Sequence, residues 1–136
     1  MIIKTMDEKR YIDIGTSDNF IALYSTIRVR CESNFKEIGK ALLFLEKGKC
    51  LNNEALETAR QVNKIRDYLS QIEPVKMVYD YRKQDDVNPL LEKMSYVVTS
   101  CGNLFLTADG KDLLFEIVSI LTYGHYLKTD IIIEGD

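Results

Sequence analysis

The side chains best suited to chemistry are few and widely spaced in this sequence of 136 residues. Cysteines stand only at positions 31, 50 and 101, and the single histidine is His125. Acid–base or nucleophilic catalysis needs a base beside its nucleophile and a group that orients the base. No sequence pattern joins His125 to a cysteine, so the sequence favours a protein that is not an enzyme. A small cytosolic hydrolase that uses Cys101 or His125 stays open as an alternative.

Metal and phosphate sites are not indicated either. A structural zinc site would need closely paired cysteines with histidines, and the seven glycines lack the spacing of a Walker or dinucleotide loop. Residues 109–112, Asp-Gly-Lys-Asp, lack the further oxygen ligands of a calcium loop and are typical of a turn before a capped helix. The adjacent Asp85 and Asp86 could bind a divalent cation only weakly. We therefore expect no cofactor and no bound metal.

Composition predicts one domain over residues 1–136. The apolar residue types make up 46% of the chain and the charged types 29%, which is typical of a water-soluble globular protein. The longest stretch without a charge, residues 94–108, is shorter than the roughly 20 apolar residues of a membrane helix. Neither a secretory signal nor a cysteine framework is apparent. These features predict a cytoplasmic location and no membrane binding.

Charge is distributed unevenly along the chain. The net charge is −3, but residues 74–136 contain ten acidic and six basic side chains. This half would weakly repel nucleic acid and attract a basic partner. We therefore expect no direct binding of nucleic acid.

Hydrophobic periodicity predicts an α+β fold. Stripes at helical spacing indicate about four helices, which pack on one small sheet of three to five short strands. The predicted helices follow Ser17, Asn34, Asn53 and Asp109 and end near Cys31, Gly48, Pro74 and Gly124. The predicted strands are residues 10–15, 76–81, 104–107 and 130–134, and residues 90–100 are ambiguous. The polar stretch 82–88 is the longest loop, and long loops in compact domains often carry function.

Three stretches are similar, in order and spacing, to motifs of one protein family. They are residues 18–27 (DNFIALYSTI), 72–80 (IEPVKMVYD) and 104–114 (LFLTADGKDLL). The last differs from the family motif by Ala108 in place of serine, and the second by Tyr79 in place of tryptophan. Over roughly residues 10–134 the chain resembles the immunity protein 70 family, bacterial antidotes encoded beside polymorphic toxin genes. It departs from the family at residues 88–91, Asn-Pro-Leu-Leu, where members often carry Pro-Pro-Trp-Gly.

The resemblance implies a cytoplasmic protein of a polymorphic toxin or contact-dependent inhibition system. It would bind and neutralise the C-terminal domain of a cognate toxin, commonly a nuclease, in a one-to-one complex. Because nucleases bind phosphate through basic residues, an acidic surface could block such a site sterically and electrostatically. If the divergent residues 88–91 touch the toxin, the cognate toxin would differ as well.

We predict that Asp80, Tyr81, Asp85 and Asp86 bind the toxin. Tyrosine supplies amphipathic contact area, and carboxylates accept bidentate bonds from arginine. In the competing interpretation, Tyr79 and Tyr81 point into the core and the aspartates only solubilise a turn. A non-catalytic adaptor subunit is the remaining alternative function.

Overall fold

In the computed structural model, which describes residues 1–82 and 98–135, the two ends of the chain form the centre of one antiparallel sheet. The strands are β1 (Ile2–Thr5), β2 (Tyr11–Asp13), β3 (Lys49–Cys50) and β4 (Ile131–Glu134), and their order is β2-β1-β4-β3. Fully buried Ile3 lies opposite Ile12 on one side and Ile133 on the other. Strands β1 and β3 were not predicted, because two to four residues are too few to show an alternating pattern.

Four α-helices within the described residues cover this sheet and confirm the predicted α+β class. They are α1 (Ser17–Arg30), α2 (Gly39–Lys47), α3 (Asn52–Leu69) and α4 (Leu113–Leu127), and short 3-10 turns occupy Glu32–Glu37 and Pro74–Lys76. The stripe predicted for the third helix is buried at Ala59, Val62, Ile65 and Leu69. Helix α3 packs along α4, which brings these residues into one core with the sheet. Within the described ranges, no helix combines the length and apolar character that crossing a bilayer requires.

Helix ends differ from the predictions at four places. Helix α3 ends at Leu69 rather than near Pro74. Helix α2 ends at Gly48 in the left-handed conformation (φ 76°), as predicted, but begins at Gly39 rather than near Asn34. Helix α4 is capped by Asp112, whose side chain accepts a hydrogen bond from the Phe115 amide at 3.1 Å, and not by Asp109. Gly124 lies inside α4, which continues to Leu127.

The first turn of α3 is capped by a carboxylate from a distant part of the chain. Asp130 Oδ1, just before β4, accepts hydrogen bonds from the backbone nitrogen and the Nδ2 of Asn52, both at 2.8 Å. These bonds hold the pKa of the Asp130 carboxyl below its ordinary value of 3.8. A helix begins with amide groups that lack partners inside the helix, so this contact ties α3 to the sheet.

Replacing Asp130 with alanine should lower the free energy of unfolding by about 1 kcal/mol near neutral pH, which is the usual effect of losing a cap. Because the folded-state pKa is depressed, this stabilisation is complete above the unfolded value of 3.8 and is lost as the pH falls through the folded-state pKa. Urea unfolding of both proteins at several pH values would measure the difference. A difference in unfolding free energy that stays constant in acid would contradict the role of the Asp130 carboxylate as a helix cap.

Candidate interaction surfaces

Residues 77–82 lie against helix α1, and the strand predicted for residues 76–81 is wrong. The amide of Val78 donates to Thr26 Oγ1 at 3.0 Å, and the amide of Tyr81 donates to Ser25 Oγ at 2.9 Å. Both hydroxyl residues are fully buried on α1. Because side chains of α1 satisfy this backbone, the segment needs no neighbouring strand and stays irregular.

Tyr81 is the centre of a cluster on this surface, the Tyr81 cluster, which comprises Tyr24, Arg28, Glu46, Tyr81 and Arg82. The rings of Tyr24 and Tyr81 meet edge to face with centroids 5.8 Å apart. The guanidinium of Arg28 lies 4.7 Å from the centroid of the Tyr81 ring, and that of Arg82 lies 6.0 Å from it. Tyr81 is half-buried, so it is neither a core residue nor a freely exposed one.

Hydrogen bonds fix the other members of the Tyr81 cluster. Arg28 Nη1 donates to the Tyr24 hydroxyl at 3.1 Å, and that hydroxyl donates to Glu46 Oε1 at 2.7 Å. Burial, with the bond to Glu46 as the second cause, raises the pKa of the Tyr24 hydroxyl. The hydroxyl therefore keeps its proton and the chain of bonds persists at neutral pH. An open cavity of about 330 Å³ adjoins it, lined by Phe20, Ile21, Tyr24, Leu45, Glu46, Tyr81 and Arg82.

Asp80 and Tyr81, two of the four predicted toxin-binding residues, lie here, and Asp85 and Asp86 fall outside the described residues. The Asp80 side chain is only 14% exposed. Its Oδ1 accepts from Arg82 Nε at 3.0 Å and its Oδ2 from Arg82 Nη2 at 2.9 Å. Asp80 therefore positions Arg82 beside Tyr81, and the described part of this surface presents arginine as well as carboxylate.

A second surface, which the sequence reasoning missed, is the outer face of α4. Its uncharged side chains line an open groove together with Arg10, and they are Phe115, Val118, Ser119, Thr122, Tyr123, Tyr126 and Leu127. Phe115 is 55% exposed, Tyr126 68% and Leu127 56%. One signal was available: α4 contains no lysine or arginine and a single carboxylate, Glu116. A helix that is apolar all round is typically covered on both sides.

The turn before α4 lines a further open cavity, of about 480 Å³, together with β2. Two of the three carboxylates that line it accept hydrogen bonds from nearby groups: Asp13 accepts from the Gly15 amide at 2.8 Å, and Asp109 accepts from the Thr107 hydroxyl. In the part of the chain that the structure describes, no three histidine, cysteine or acidic side chains are grouped to hold a metal ion.

Cys101 and His125 have different surroundings. Cys101 is fully buried and its thiol donates to the Glu73 carbonyl at 3.4 Å. Burial raises the pKa of the Cys101 thiol to about 11, as it does that of the buried Cys31. His125 lies on α4 with its ring 4.9 Å from that of Tyr126. Since the thiolate is the nucleophilic form of cysteine, this environment suppresses the reactivity of Cys101.

The thiols of the folded protein should therefore react with an aromatic disulfide reagent at less than about 1% of the rate of the unfolded chain at pH 8. All three cysteines are buried and reduced, and burial also raises the pKa of Cys50. Stopped-flow absorbance of the thiolate released from the reagent, with and without denaturant, would measure both rates. Rapid reaction of Cys101 in the folded protein would restore the hydrolase alternative.

Comparison with known proteins gives one match. A sequence model of the family described as Immunity protein 70 matches residues 4–133, nearly the whole chain. Neither the curated proteins nor the solved structures contain a match. The matched range includes all four helices and both candidate surfaces.

Proposed function

Because the chain belongs to the immunity protein 70 family, we propose that it binds the C-terminal domain of one cognate toxin and neutralises it by covering its surface. The protein makes and breaks no bond in this account. It acts in the cytoplasm of the bacterium that encodes the toxin. The buried, protonated thiol of Cys101 supports this choice over a cysteine hydrolase.

The Tyr81 cluster is the observation that carries our choice of interface. Tyrosine and arginine are enriched among residues that dominate binding energy at protein interfaces. Here two tyrosines and two arginines are held together by ring contacts and hydrogen bonds before any partner arrives. A preorganised surface loses little side-chain entropy on binding. We infer that Asp80 contributes by holding Arg82 in place, and that Tyr81 contacts the toxin directly.

We assign the toxin to the basic nucleases. The acidic excess of residues 74–136 favours a basic partner, and Asp85 comes three residues after Arg82 of the Tyr81 cluster, with Asp86 next to it. Their carboxylates can accept bonds from the lysines and arginines that a nuclease uses for phosphate. Charge of this sign would speed association and block the substrate path of the toxin.

Replacing both Asp85 and Asp86 with lysine should weaken toxin affinity at least tenfold, since opposite charges would become like charges across the interface. The thermal melt followed by circular dichroism should change little. A calorimetric titration of the toxin domain encoded by the neighbouring gene would measure the affinity.

The matched control is the double lysine substitution of Glu57 and Asp67 on the surface of α3, which alters net charge equally. It should leave affinity within about twofold of the wild type, because neither residue belongs to the proposed interface. Equal weakening by both variants would indicate a net-charge effect and remove residues 85–86 from the interface.

A further inference from the structure

We propose that the outer face of α4 binds the same face of a second copy of this chain, about a two-fold axis with the helices antiparallel. This face shares no lining residue with the cavity beside the Tyr81 cluster. A dimer built on α4 would thus leave the proposed toxin-binding surface of each copy accessible.

The outer face of α4 exposes an unusual number of large apolar side chains. Its inner side buries residues against the sheet and α3, namely Leu113, Leu114, Ile117, Ile120 and Leu121. Its outer side still presents Phe115, Tyr126 and Leu127, each more than half exposed, around an open groove of about 450 Å³. Tyr11, 72% exposed on the adjoining strand β2, lies beside Ser119 in a cleft that Arg10 and Glu116 also line. Contiguous apolar patches of this kind mark interaction sites.

The order of residues along the face is self-complementary. An axis midway between Ser119 and Thr122 would bring Phe115 of one copy level with Tyr126 of the other, and Val118 level with Tyr123. At the centre the small Ser119 and Thr122 side chains would let the two helices approach closely, which ridge-and-groove packing requires. The Thr122 hydroxyl already donates to the Val118 carbonyl at 2.8 Å, so its burial leaves no unpaired donor.

The charged side chains at the edge of this face also favour pairing with a second copy of the chain. Glu116 and Arg10 line one narrow cleft beside Ser119 and Ile120, so they lie along the same edge of α4. Glu116 is in the first turn, and Arg10 covers the Tyr123 ring two turns later, with its guanidinium 4.9 Å from the centroid. Antiparallel pairing places the carboxylate of each copy near the arginine of the other. The two helix dipoles also oppose one another, which is favourable.

Sedimentation velocity of the purified chain without toxin tests this proposal. We expect the sedimenting mass to approach twice the chain mass of 15.7 kDa as the concentration is raised to about 100 µM. Thr122→Arg and Thr122→Glu should each weaken self-association at least tenfold, because like charges would face one another near the axis. An equimolar mixture of the two variants should restore the dimer, since arginine of one copy then faces glutamate of the other.

The matched control is Leu43→Arg, the same kind of change at a side chain 53% exposed on α2. It should leave the sedimenting mass unchanged. A monomeric wild type, or a dimer that survives both Thr122 variants, would overturn the proposal. So would a monomeric wild type whose toxin binding is lost in Thr122→Arg, which would assign the α4 face to the toxin.

Discussion

Replacing Tyr81 with alanine is expected to weaken toxin binding about 100-fold, or roughly 2.7 kcal/mol, the effect of losing an interface hot spot. The Tyr81 ring contacts Tyr24 and lies within 6.0 Å of the guanidinium groups of Arg28 and Arg82. Its removal takes away contact area and also frees both arginines to adopt other rotamers. The affinity for the purified toxin domain, measured by isothermal titration, gives the result.

Tyr81→Phe is the control for this prediction. It keeps the ring that both arginines cover and removes only the hydroxyl, so we expect affinity within about fivefold of the wild type. Melting temperatures of all three proteins should be compared, because Tyr81 is half-buried. A correctly folded alanine variant with undiminished affinity would place the Tyr81 cluster outside the interface.

Gly124→Ala is expected to lower the free energy of unfolding by about 3 kcal/mol, at the upper end of the effect of overpacking a core. A Cβ at this position would lie 2.4 Å from Ile131 Cδ1 and 2.7 Å from the Thr129 carbonyl oxygen. The carbonyl belongs to the turn that leads α4 into β4, so it cannot move without displacing the sheet. Equilibrium unfolding in urea would measure the loss.

Gly39→Ala provides the matched comparison, because Gly39 also lies in a helix and a Cβ there would meet nothing within 4 Å. Alanine has the higher helix propensity, so this variant should be unchanged or up to about 1 kcal/mol more stable. Equal stability of Gly124→Ala and the wild type would show that α4 and β4 are less closely packed than the structure has them.

The sequence predicted the helices better than the strands, for a physical reason. Helical stripes extend over many residues, so α1 and α3 begin within one residue of the predicted starts. Strands β1 and β3 depend on pairing with β4, a partner distant in sequence, and their few residues carry no period of their own. The alternation in residues 76–81 was misleading because Ser25 and Thr26 of α1 satisfy the backbone there.

Two residues in the predicted last helix, Asp109 and Gly124, were interpreted wrongly. Asp109 and Asp112 are equally plausible caps in the sequence, and the structure selects Asp112. Gly124 was interpreted as the end of a helix. It lies inside α4, where the absence of a side chain lets Ile131 pack against the helix. Such a close approach between two elements has no signature within either segment.

The candidate site was only partly predictable. Asp80 and Tyr81 were singled out by residue type, but Tyr24, Arg28 and Glu46 join the Tyr81 cluster through contacts between α1, α2 and the segment after α3. The bonds between Asp80 and Arg82 were not foreseen, because Asp80 was assigned to a strand and Arg82 to the loop after it. The scarcity of charge in α4 was a signal of its outer face in the sequence, but only the structure shows which side of the helix is exposed.

A titration of toxin activity would show whether this chain neutralises its toxin by binding to it. Toxin domain from the neighbouring gene is held at a fixed concentration well above the dissociation constant, and its residual activity is measured against increasing amounts of this protein. Binding predicts a linear fall that reaches zero at one equivalent of chain and does not change with longer incubation. Complete and progressive inactivation by a small fraction of an equivalent would contradict neutralisation by binding, as would full toxin activity in the presence of excess protein.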